Sequence, residues 1–241
     1  ESISNPNVSF AQGGGLGNGQ FTKLLSFEAV GQPLGSFFMW EYAGLDENGA
    51  MQFFNADGEV VSQDQLTVAD RKFVGSVIPK VNYGLSLGAK YKNIDFGFMF
   101  RFSGGNKIFN STRRELMNTN FNNNGTEILG RWQSVDNPGD GWTPRLYASS
   151  NTSSNLSGSA TTRFVEKGDF ISLDNISFGY TLPKLLLDKI KVDNFRIFVQ
   201  AQNIWLISDY KGINPEMETS GVDVNGTPRS KVISVGLNVS L

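Results

Sequence analysis

Period-two alternation of apolar and polar residues, held over stretches of about ten, constrains this chain more than any other feature. From Asn82 to Tyr91 the odd positions are Tyr83, Leu85, Leu87, Ala89 and Tyr91, and the even ones are Asn82, Gly84, Ser86, Gly88 and Lys90. Lys92-Asn93 turns the chain, and Phe96, Phe98, Phe100 and Phe102 then alternate with Asp95, Gly97, Met99, Arg101 and Ser103. Ile176, Phe178, Tyr180 and Leu182 repeat the pattern, as do Phe195, Ile197, Val199 and Ala201, where only Phe198 interrupts the polar positions. Ile233, Val235, Leu237, Val239 and Leu241 close the series. Such segments are β-strands with one greasy and one wet face, which suits both a half-buried soluble sheet and a transmembrane barrel wall. A soluble sandwich needs a second, equally apolar set of strands. Here each strand gives its other face to Gly, Ser, Asn, Gln, Arg and Lys, as a hydrated lumen requires.

The expected strands lie near residues 81 to 91, 95 to 103, 164 to 182, 194 to 206 and 230 to 241, neighbours in that order. A phase change between Leu173 and Ile176 predicts a bulge near Asp174 and Asn175. Pro183 stops one strand and starts a helical turn through Leu185 to Ile190. The short turns at 92–93 and 183–194 fall at one end of the strands and the long connections at the other, the polarity of an outer-membrane barrel. The first and last strands are expected to lack partners within this chain.

Several blocks also resemble the C-terminal portion of SusC/RagA-type TonB-dependent outer-membrane transporters. They are Phe164 to Pro183 (FVEKGDFISLDNISFGYTLP), Phe195 to Ile204 (FRIFVQAQNI) and Tyr210 to Glu216 (YKGINPE), with Val30 to Phe37 (VGQPLGSF) and Asp70 to Gly75 (DRKFVG) upstream. The resemblance implies an all-β fold, part of an antiparallel transmembrane β-barrel: the last five or so of about 22 strands, with long extracellular loops. Residues 1–80 are then mostly an extracellular excursion and residues 81–241 barrel strands and loops. The plug domain is expected to lie outside this chain, whose start lacks a signal peptide's basic and apolar regions and reads as internal. The implied function is a wall and loop segment of an importer of glycans or peptides in the outer membrane of a Gram-negative cell. Implied partners are the rest of the same barrel and its plug, a SusD-like surface lipoprotein, the TonB complex through the N-terminal part, lipid and lipopolysaccharide, and the oligosaccharide or peptide itself.

Composition narrows the alternatives. There is no cysteine and no histidine, which removes disulfides, thiolate nucleophiles, Cys/His zinc sites and a histidine-based triad. No enzyme is expected. A net charge of −2 argues against nucleic acid as a partner. No run approaches the 18 or so apolar residues of a membrane helix. The competing reading is a secreted all-β carbohydrate-binding module.

Outside the strands, Asn7 to Phe10 reads as a strand tail, Gly13 to Gly19 as a glycine-rich connector and Asn151 to Ser159 as a polar linker. Ser36 to Leu45 holds Phe37, Phe38, Met39, Trp40 and Tyr42 and should pack. Lys107 to Met117 has helical spacing at Ile108, Phe109 and Leu116. In the long loop before Thr162, Trp132, Trp142, Arg145 and Tyr147 could stack on sugar rings, hold a peptide, or pin the loop to the barrel rim; Asp209 and Tyr210 fall near the same rim. No cofactor is expected. Asn55, Asp57 and Asp64 have the spacing of a calcium loop, yet Phe53 stands at its first ligand position, and Asp57-Gly58 reads as a tight hairpin turn instead.

Overall fold

The computed structural model describes residues 25–117, 123–146, 161–216 and 220–240; the expectations for Asn7 to Phe10, Gly13 to Gly19, Tyr147 and Asn151 to Ser159 lie outside them. In chain order its elements are β1 (Ser36–Leu45), β2 (Met51–Phe54), β3 (Val60–Ser62), β4 (Arg71–Ser76), β5 (Val81–Tyr91), β6 (Ile94–Gly104), β7 (Lys107–Asn110), α1 (Ser111–Leu116), β8 (Val165–Lys167), β9 (Phe170–Thr181), α2 (Lys184–Ile190), β10 (Asn194–Ser208), β11 (Val222–Asp223) and β12 (Val232–Ser240). They belong to two compact units: Glu1–Ile78 with Asn106–Lys167 and Lys211–Gly226, and Pro79–Gly105 with Gly168–Tyr210 and Thr227–Leu241.

The first unit has an ordinary core. Its four-stranded sheet runs β3-β2-β1-β4, and a three-stranded sheet runs β11-β7-β8. Phe37 and Met39 of β1, Phe109 of β7, Phe164 and Val222 form one buried cluster, and Tyr42, Met51 and Phe53 a second. The aromatic run from Ser36 to Leu45 therefore packs as expected. The helix expected from Lys107 is a correction: Ile108 and Phe109 belong to β7, both fully buried, and only Ser111–Leu116 is helical. Asn110 divides the two, its side-chain oxygen accepting the Arg113 N–H at 2.8 Å, an N-cap that satisfies a donor of the first turn.

The second unit is one antiparallel sheet in the order β12-β10-β9-β6-β5, so the five long strands are neighbours in their expected sequence. Val165–Lys167, expected to begin the third of them, instead pairs with β7; Gly168 and Asp169 separate it from β9. Register extends the apolar face across all five strands. Tyr91, Ile94, Tyr180, Ile197 and Leu237 form one row, Ala89, Phe96, Phe178, Val199 and Val235 the next, and Leu87, Phe98, Ile176, Ala201 and Ile233 a third. The bulge falls where the phase change placed it: Met99 pairs with Asn175 and Phe100 with Leu173, leaving Asp174 over. On β10, Asn203 takes a φ of +54° beside it, and beyond the irregularity Trp205 pairs with Leu173 and Ile207 with Ile171 on the apolar face.

Neither buried cluster draws on this sheet. Tyr83, Leu85, Phe96, Phe178, Val199, Trp205 and Val235 are all exposed, a single layer with nothing of its own to cover its apolar face. The two edges are β5 and β12, and within the described residues neither has a second partner. The connections differ in length: β5 to β6 and β9 to β10 are joined closely, while one segment of the first unit precedes β5 in the chain and the other two connect β6 to β9 and β10 to β12. No helix among the described residues is long and apolar enough to cross a membrane, which leaves strands out of account.

Candidate functional site

The polar face of the sheet carries two ion-pair groups that span neighbouring strands. Arg196 on β10 reaches across β9 to Asp95 on β6, Nε to Oδ1 at 2.9 Å and Nη2 to Oδ2 at 2.6 Å. The residue beneath is Gly179, where a Cβ would collide with both side chains; glycine makes the bridge sterically possible. At the bulge, Asp174 accepts from Arg101 Nε at 2.7 Å and from Arg229 Nη2 at 3.0 Å, as well as from the Ser172 hydroxyl. Bidentate and doubly bonded carboxylates satisfy the charge that a strand face places there. Phe198, the interruption in the polar series, lies over Gly236 with the Arg196 guanidinium 4.9 Å from its ring centroid. It covers backbone that glycine leaves bare.

In the first unit the aromatic residues of the long loop meet β1 and its turn. Tyr42 donates its hydroxyl proton to the Trp142 carbonyl at 2.7 Å, and the two rings meet edge to face at 4.5 Å. Trp132 sits over Gly49 in the β1–β2 turn, and the Arg145 N–H donates to the Gly49 carbonyl at 3.0 Å. Gly49 has a φ of +73°, so that turn needs glycine for conformation and for space. Asp140 ties the loop together, accepting from the amides of Trp142 and Thr143 at 2.8 and 2.6 Å and from the Thr143 hydroxyl at 2.8 Å. Burial opposes ionisation of its carboxyl, but these bonds hold it below the usual carboxylate range.

Beneath lies a charge network that no local pattern announced. Arg113 of α1 donates to Glu127 at 2.8 Å and to Glu166 at 3.1 Å. Glu166 also accepts from Asn110 and from the Lys211 N–H. The Arg113 bonds, working against burial, hold the Glu127 carboxyl below its ordinary value. Arg163 is 5% exposed, with its guanidinium 4.9 Å from the Phe164 ring centroid and 5.9 Å from that of Tyr42; burial lowers its pKa.

The structure thus gathers Trp132, Trp142 and Arg145 in one place in the first unit, with Trp142 39% exposed. Asp209, exposed, and Tyr210, buried, belong to the second unit, the Tyr210 N–H donating to the Ser208 hydroxyl. Tyr147 lies outside the described residues. Asn55 and Asp57 form the β2–β3 turn, in which Asn55 Oδ1 accepts the Glu59 N–H at 2.8 Å and Gly58 has a φ of +85°. Asp64 follows in a short 3-10 turn, where it accepts the Ser62 hydroxyl at 2.6 Å. Among the described residues no three acidic side chains stand close enough together to hold a metal ion.

No family model matches the sequence. Among curated proteins, TonB-dependent receptor P3 of Formosa agariphila is 28% identical over 232 residues, covering 87% of this chain and 22% of that protein. The receptor SusC of Bacteroides thetaiotaomicron is 29% identical over 242 residues, covering 93% and 21%. Of solved structures, the RagAB peptide transporter superposes with a TM-score of 0.72 at 28% identity, over 86% of this chain and 23% of that one. The chain therefore spans about a fifth of the length of the curated relatives it matches. Motifs, topology and comparisons converge: the chain is similar to the C-terminal part of the β-barrel of SusC/RagA-type TonB-dependent receptors.

Proposed function

We propose that this chain forms part of the wall and external loops of an outer-membrane importer that takes up glycans or peptides with a SusD-like lipoprotein as partner and TonB as energy source. The observation that carries the reading is the uncovered apolar face of the five-stranded sheet, set against a polar face of bridged charges. Exposed apolar surface on this scale is unfavourable in water and favourable in lipid. The names of the relatives, receptors and a peptide importer, support import over catalysis or a secreted binding module. In this reading residues 1–80 and the loops after β6 and β10 lie outside the cell, and the plug is supplied by the rest of the receptor. Trp142 and Arg145 are the leading contacts for substrate, with Trp132, Tyr147 and Asp209 as further ones; Tyr210 is buried and is not among them.

The orientation is tested by cysteine accessibility, in a receptor from which any cysteine outside this chain has been replaced; the chain itself has none. Asp136→Cys and Asn93→Cys are placed in the full-length receptor, and whole cells are treated with a membrane-impermeant maleimide. Asp136→Cys should react in intact cells and Asn93→Cys only after the outer membrane is permeabilised. The reverse pattern, or equal labelling of both, would refute the reading.

A further inference from the structure

At the end of the five-stranded sheet where β5 turns into β6 and β9 into β10, an open cavity of about 580 Å³ lies between the Lys92-Asn93 turn and α2. It belongs to the polar face: its lining residue Lys90 is opposite Asp95 in register and Thr181 is opposite Arg196, on the side of the Asp95–Arg196 bridge. Both walls are tied down. The Asn93 side-chain amide donates to the Thr181 carbonyl at 2.8 Å and the Thr181 N–H to the Asn93 carbonyl at 2.8 Å, while Leu187 of α2 is buried and the Asp193 N–H donates to the Ser240 carbonyl at 2.9 Å. Three ammonium groups, of Lys90, Lys92 and Lys184, and two carboxylates, of Asp188 and Asp193, line the cavity. Leu182, Pro183, Leu187 and Val192 give it apolar surface. Among the described residues none of these five charged side chains forms a hydrogen bond or a salt bridge, and only Lys92 meets an aromatic ring, that of Tyr91 at 5.3 Å. Farther along the same face the charged residues are bridged to one another.

Cationic, anionic and apolar groups around one cavity match a ligand that carries all three, a short peptide with its carboxylate, its ammonium and its side chains. A neutral glycan has neither charge, and no described lining residue offers an aromatic ring on which a sugar could stack. The volume is that of a small-molecule site, about 300 to 1,000 Å³. We propose that this cavity is a peptide-binding site, in which Lys90 and Lys184 take the carboxylate, Asp188 and Asp193 the ammonium, and Leu182, Leu187 and Val192 the apolar side chains. The proposal rests on the reading of the polar face as the lumen of an importer, and within that reading it selects peptide over glycan as cargo. Ion pairs this open are weak, about twofold in affinity each, as suits a site that cargo must leave.

The test uses the full-length receptor in detergent, with photo-crosslinks mapped by mass spectrometry. The probes are a tripeptide with a diazirine side chain and free termini, the same tripeptide acetylated and amidated, and a neutral trisaccharide carrying a diazirine. The free-ended tripeptide should label residues 90–93 or 181–194, and the other two probes should label them about fourfold less or weaker still, at roughly twofold per ion pair lost. Lys90→Gln with Lys184→Gln should lower labelling by the free-ended tripeptide about fourfold and leave that by the blocked one unchanged, and Asp188→Asn with Asp193→Asn should do the same. No labelling of this region, equal labelling by the blocked peptide or the sugar, or unchanged labelling in either double variant overturns the proposal. Heat-modifiable gel mobility reports whether each variant has folded. Should a variant fail to fold, the unsubstituted receptor in molar salt decides, because screening must weaken labelling by the free-ended tripeptide and unchanged labelling overturns the site. The cysteine test above keeps the two readings apart. Reversed accessibility of Asn93→Cys refutes the assignment of sides, whereas the expected accessibility without peptide labelling here refutes the site alone.

Discussion

Replacing Phe98 with arginine tests the assignment of faces most sharply. Phe98 lies in β6 four residues from Ile94 and four from Phe102, about 13 Å along the strand from each, near the middle of the apolar band. That band measures about 27 Å along the strand and shortens to about 20 Å at a barrel tilt of roughly 40°. An arginine on the lipid face at that depth costs about 2 to 4 kcal/mol. The Phe98 ring also packs on Phe96 and Phe100, with centroids at 5.8 and 5.5 Å, and losing each contact adds about 0.5 to 1.5 kcal/mol. The combined penalty of about 3 to 7 kcal/mol is comparable with the whole stability of many proteins, about 5 to 15 kcal/mol. Gln200→Arg is the control. Gln200 pairs with Ser177 and Ser234 on the opposite face, where a new charge reaches water and should change stability by about 0.5 kcal/mol or less. Refolding of the full-length receptor into lipid vesicles, followed by heat-modifiable gel mobility, should show Phe98→Arg failing and Gln200→Arg folding. Equal folding of the two, or failure of the Gln200 variant alone, would show that the faces are reversed or that neither meets lipid.

Three further outcomes follow from named contacts. Because Arg113 holds the Glu127 carboxyl below its unfolded pKa, their bond stabilises the first unit above that unfolded value, about 4.3, and the stabilisation is lost as pH falls through the lower folded one. Thermal melts between pH 7 and pH 3 should therefore decline less steeply in Glu127→Gln than in the unsubstituted receptor. Tyr42→Phe removes the bond to the Trp142 carbonyl at a cost of about 1 kcal/mol, and limited proteolysis should cut the loop around Gly139 to Trp142 faster. Gly179→Ala places a methyl into the Asp95–Arg196 bridge; overpacking of this kind costs about 1 to 3 kcal/mol, and the midpoint of urea unfolding from vesicles should fall accordingly.

Alternation carried much of this fold because its cause is local. Successive side chains on a strand point to opposite faces, so Phe96 to Phe102 and Ile233 to Val239 declare both strand and face without reference to any neighbour. The bulge at Asp174 was legible for the same reason, as a shift of phase within one strand. Pro183 announced the helical turn of α2 through its fixed φ and missing N–H. Short apolar runs were less decisive: Ile108-Phe109 has helical spacing with Leu116, and only burial between β8 and β11 makes it a strand. The separation of Val165–Lys167 from β9 likewise depends on which strand it pairs with. The bonds of Asp174 to Arg101 and Arg229, of Arg113 to Glu127 and Glu166, and of Tyr42 to Trp142 join residues that nothing in the intervening sequence relates. Phe198 looked like an error in a polar series until register set it over Gly236. Sequence by itself determined the strands, their faces and the ends at which they turn, because those follow from the geometry of a few adjacent residues. Tertiary structure decided the charge partners, the small strands of the first unit and the aromatic contacts of its loop, because each depends on a distance between segments that only folding brings together.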